Sequence, residues 1–79
     1  MYELERATGH ELFDMAVENF LIKPSRDNFR MMIWVRDTYM RGKRARAAAD
    51  TAIMAAIAGA DLSWPDQDGF LRAHERSMR

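Results

Sequence analysis

Apolar residues recur every three to four positions through most of the chain, and the phase of that repeat breaks at Pro24, Gly42 and the segment 59–63. The spacing therefore predicts four short helices. The first spans residues 9–23, with Leu12, Phe13, Ala16, Val17, Phe20 and Leu21 on one face and Glu11, Asp14 and Glu18 opposite. Thr8-Gly9-His10-Glu11 reads as its capping box, in which hydroxyl and carboxylate each satisfy a backbone amide, and Pro24 ends it. Ser25 is the expected N-cap of a second helix over 26–41, with Asp27 complementing the dipole and Gly42 as the C′ residue.

The second helix gathers Phe29, Met32, Ile33, Val35, Tyr39 and Met40 on its main face, leaving Met31 and Trp34 on the other side beside Arg26, Arg30 and Arg41. A large aromatic in that position is covered either by another helix of the chain, the preferred reading, or by an interface. The third helix, 43–58, is alanine-rich and apolar nearly all round, with Ile53, Met54 and Ile57 as its sizeable side chains and Gly59 as its stop. It is expected at the centre, since Ala45, Ala48, Ala49, Ala52 and Ala56 permit close helix approach. Asp50, the one charge well inside it, is expected to form a buried ion pair with Arg46 one turn earlier. Ser63-Trp64-Pro65-Asp66 opens a fourth helix with Phe70, Leu71, His74 and Met78 as its stripe and Arg72, Arg76 and Arg79 suiting its C-terminal end. The fold class is all-α, a compact bundle of four short helices with helix three central, and 1–79 is one small domain.

Composition narrows what such a bundle can do. A chain of 79 residues buries only about 60% of the surface its unfolded form exposes, and without cysteine it has no disulfide or thiolate metal site to add stability. Self-association as a homodimer is the expected supplement. The longest apolar run, residues 52–60, is far short of the roughly 20 residues of a membrane span, and the acidic beginning is unlike a signal peptide. A cytoplasmic protein with no membrane partner is expected.

The zero net charge conceals four blocks: residues 1–22 carry five acids and one base, 23–46 eight bases and two acids, 47–69 four acids and no base, and the last ten three arginines and one glutamate. No serine, histidine or carboxylate finds the partner that nucleophilic or acid–base chemistry requires, so an enzyme is not expected, nor a cofactor. Residues 64–75 resemble an EF-hand calcium loop at Asp66, Asp68, Gly69, Leu71 and Glu75. The resemblance fails at its first position, where Trp64 replaces an oxygen ligand, and a helix through Asp66 and Asp68 cannot wrap them around an ion. His10 and His74 lack the one-turn partner of a helical zinc pair, so no metal is expected.

The partner-binding surface is expected at Arg26, Arg30, Met31, Trp34, Arg41, Lys43, Arg44 and Arg46. The function that follows is a binding protein that docks on, and inhibits or adapts, a larger protein or nucleoprotein complex. In size and composition alone the chain resembles phage-encoded accessory proteins, anti-CRISPR inhibitors among them. The alternative is a small DNA- or RNA-binding protein holding phosphates with the basic segment, since a third helix that offers mainly alanines cannot read bases. A third reading has the basic segment meet the stripe Glu11, Asp14, Glu18 of the same chain or of a second copy.

Overall fold

The computed structural model describes residues 9–79, so that Thr8, the expected cap of the first helix, lies outside the described residues. Four helices follow in order: α1 (Gly9–Ile22), α2 (Arg26–Tyr39), α3 (Lys43–Gly59) and α4 (Trp64–Ser77). The all-α bundle is as expected, and each boundary falls within two residues of the pattern's prediction.

Helix ends are closed by side chains reaching from the next element. Ser25 Oγ accepts the Asn28 amide at 3.2 Å, the expected N-cap of α2. Asn28 Nδ2 in turn donates to the carbonyls of Lys23 (2.8 Å) and Asn19 (3.3 Å), satisfying groups that α1 leaves open at its C-terminus. Gln67 Nε2 does the same for α3, donating to the carbonyls of Ile57 (3.2 Å) and Ala58 (3.1 Å). Ser63 holds the N-cap position of α4, but its hydroxyl donates to Asp66 Oδ2 at 2.7 Å instead of capping an amide. Gly42 sits between α2 and α3 at φ +92°, a conformation that L side chains rarely adopt.

α1 and α2 form an antiparallel pair so close that a Cβ on Gly9 would stand 2.7 Å from Tyr39 Cβ. The core between the helices comprises Phe13, Ala16 and Phe20 of α1, Phe29, Met32 and Val35 of α2, Met40 just beyond it, and Ala49, Ile53, Ala56 and Ile57 of α3. α3 lies against all three other helices, and α2 shares that property. α4 approaches α1 through side chains: the rings of Phe20, Phe29 and Phe70 meet pairwise, with centroids 5.3 to 6.4 Å apart, joining α1, α2 and α4.

Four expectations about packing are corrected. Among the described residues no helix covers Trp34, which is 55% exposed, because α2 turns its opposite face to α1, α3 and α4. Asp50 pairs with Arg36 and not with Arg46, since the buried side of α2 brings a guanidinium closer than the helix's own preceding turn. α3 is central yet open on one side, where Ala47, Ala48, Met54, Ala55 and Ala58 face solvent. Leu21, Tyr39 and Met78, assigned to core faces, are exposed because each lies in or beyond the last turn of its helix.

Candidate functional site

On the α2 wheel Arg36 falls between Phe29 and Met32, at the middle of the buried side. It is fully buried, and all five of its N–H donors have acceptors. Nε donates to Asp37 Oδ1 at 3.1 Å, Nη2 to the same oxygen at 2.9 Å and to the Ser77 carbonyl at 3.1 Å, and Nη1 to Asp50 Oδ1 at 2.8 Å and Ser77 Oγ at 3.1 Å. Ser77 Oγ donates a hydrogen bond to the His74 carbonyl at 2.7 Å, and His74 Nε2 meets Asp50 Oδ1 at 3.2 Å. The cluster ties α2, α3 and α4 together. His74 is fully buried, with an Nδ1 that has no partner, while Asp50 keeps about a fifth of its side chain exposed, and the carboxylate–imidazole pair joins α3 to α4 as a clasp.

The expected partner-binding residues surround this clasp from outside, and the fold divides them into three parts. Trp34 and Met31, 55% and 48% exposed, lie one turn apart on the outer face of α2, where the Trp34 ring meets the edge of Tyr39 with centroids 6.1 Å apart. Arg41, Lys43 and Arg44 are exposed around Gly42, and among the described residues none forms an ion pair. Arg46 differs from them, because its Nη2 stands 3.2 Å from Asp37 Oδ1 and its charge is matched. The first turns of α3 carry no side-chain cap, so their amides add to the positive field of that turn.

The third part is a cleft of about 550 Å³ between the first turns of α2 and one side of α4. Arg26 and Arg30 enter it from α2 and Arg76 from α4, above Phe29 and Phe70. Sequence reasoning assigned Arg76 to the helix dipole and missed this placement, since residues 46 apart in sequence meet only through the packing of α4 on α2.

Neither Asp14 nor Glu18 forms an ion pair with the basic segment among the described residues. Asp66 and Asp68, the loop-like acids of α4, lie on a continuous helix, where Asp66 takes the Ser63 hydroxyl and Asp68 meets Arg72 Nε at 3.0 Å. No helix among the described residues is long and apolar enough to cross a membrane. No protein-family model, curated protein or solved structure matches this chain.

Proposed function

We propose that the chain is a non-enzymatic cytoplasmic binding protein that docks on a larger protein or nucleoprotein complex through the outer face of α2 and inhibits or adapts it. Trp34 carries the reading. More than half of it faces water beside Met31, it contributes little to the core, and Arg26, Arg30 and Arg41 on the same side form no ion pair among the described residues. Tryptophan and arginine are the residues that most often dominate binding energy, and methionine adapts to the surface it meets. Such a role is that of a phage-type accessory protein, an anti-CRISPR inhibitor being one example. A homodimer fits the same picture, with the uncharged open side of α3 as the surface a second copy would cover.

The second reading is phosphate binding by DNA or RNA at the Gly42 turn, favoured by one observation: Arg41, Lys43 and Arg44 surround uncapped amides. Affinity capture from nuclease-treated extract, with wild type and Trp34→Ala side by side, separates the two. A single stoichiometric protein held by wild type and lost on Trp34→Ala supports docking. Material that disappears with nuclease or moderate salt, and that Lys43→Glu with Arg44→Glu abolishes while Trp34→Ala does not, supports the nucleic-acid reading instead.

A further inference from the structure

We propose that the cleft between α2 and α4 binds a phosphoryl group, either as free pyrophosphate or carried on a small planar body such as a nucleoside. The inference goes beyond the docking reading and does not rest on it, since half of this site belongs to α4 and none of it is Trp34.

Three arguments lead there. The first is uncompensated charge. Arg26, Arg30 and Arg76 line one cleft, and none forms an ion pair among the described residues. The acid at the rim, Asp66, is held by the Ser63 hydroxyl, and even counted in full it leaves the cleft with an excess of two positive charges. The second is that the sequence breaks helix rules at two of these positions, Arg26 and Arg30. Arg26 places a cation in the first turn of α2, against the dipole, and Arg30 adds a like charge one turn on, where repulsion is direct. Asp27 in the same turn offsets one of the two charges, and local preferences are broken mostly at functional or strained sites.

The third is shape. About 550 Å³ lies within the range of small-molecule sites and exceeds what a phosphate alone fills, and Phe29 and Phe70 give the cleft an apolar wall. Gly69 lines it as well, with nothing within 4 Å of where a Cβ would stand, so the helix leaves the space open. Arginines present donors in the planar fork that phosphoryl oxygens accept, and a monocarboxylate would leave at least one of the three unmatched.

Calorimetric titration at low salt with pyrophosphate, ADP, adenosine and citrate tests the assignment. Pyrophosphate and ADP are expected to bind at one site per chain and adenosine not at all. Equal affinity for the two identifies the phosphoryl group alone as the ligand, and tighter ADP identifies a carried body lying on the phenylalanines. Arg76→Gln and Arg30→Gln should each raise Kd by about tenfold or more. Gly69→Leu removes no charge and favours the helix, and by filling the cleft it should abolish binding while the thermal unfolding curve shows the fold retained. Four outcomes overturn the proposal: no heat from pyrophosphate or ADP at millimolar concentration, binding unaltered by Gly69→Leu and Arg76→Gln, citrate binding as tightly as pyrophosphate, or binding only to oligonucleotides with affinity that grows with length.

Discussion

Arg36 and Trp34 lie two residues apart on one helix, and each contradicts what its chemistry favours: the cation is sealed and the indole is wet. Burial of Arg36 is tolerable because five donors meet five acceptor contacts, two of them to Asp37, a carboxylate that keeps half its surface in water. Removing the guanidinium strands Asp50 and His74 against an apolar core. Arg36→Met should therefore destabilise the fold by about 3 kcal/mol, the lower end for a broken buried pair because Asp50 is partly solvated. Urea unfolding reads the loss directly, and a cost below about 1 kcal/mol would reduce the clasp to an ordinary surface pair. Trp34→Ala should leave stability within about 0.5 kcal/mol, which is what makes it a clean probe of binding.

At the level of helices, the breaks between elements were legible and helix-to-helix traffic was not. Ser25, Pro24, Gly42 and Ser63 mark the breaks in the sequence itself, because their signals act over one turn. Asn28 and Gln67, which close the ends of α1 and α3, look like ordinary polar positions until the next helix has folded back. The two serines give a contrast that equilibrium unfolding can measure. Ser25→Ala should cost about 1 kcal/mol, since its oxygen caps an amide, and Ser63→Ala distinctly less, since its hydroxyl serves only a neighbouring carboxylate. Equal costs would mean that the Ser63 hydroxyl caps α4 in solution. The same locality explains the misassigned partner of Asp50. Arg46 is one turn away and readable, whereas Arg36 reaches Asp50 across the α2–α3 packing, although its place between Phe29 and Met32 on the wheel already marked it as buried.

The molecule as a whole depends on two joints that hold α4: the phenylalanine cluster at Phe70 and the Arg36 clasp at His74 and Ser77. A domain this small has a total stability of only about 4–12 kcal/mol, so each joint is a large fraction of it. Phe20→Ala, which opens the fully buried centre of the ring cluster, should remove about 3–5 kcal/mol and leave the far-UV helical signal substantially reduced at 37 °C, by mass action on so slim a margin. An unchanged signal would place the core's weight on the alanine packing of α3 instead. The cleft depends on α4 being seated and was not visible before the helices were assembled, whereas the outer face of α2 lies on one helix and was legible in the spacing of Met31 and Trp34. The second joint closes on the last turn of α4. Two of the five bonds that quiet Arg36 come from Ser77, the last residue of α4, so unwinding of that final turn leaves a sealed cation short of two acceptors. Fraying at one helix end is thereby converted into a charge fault at the centre, so the last turn of α4 and the cation beneath it come loose together.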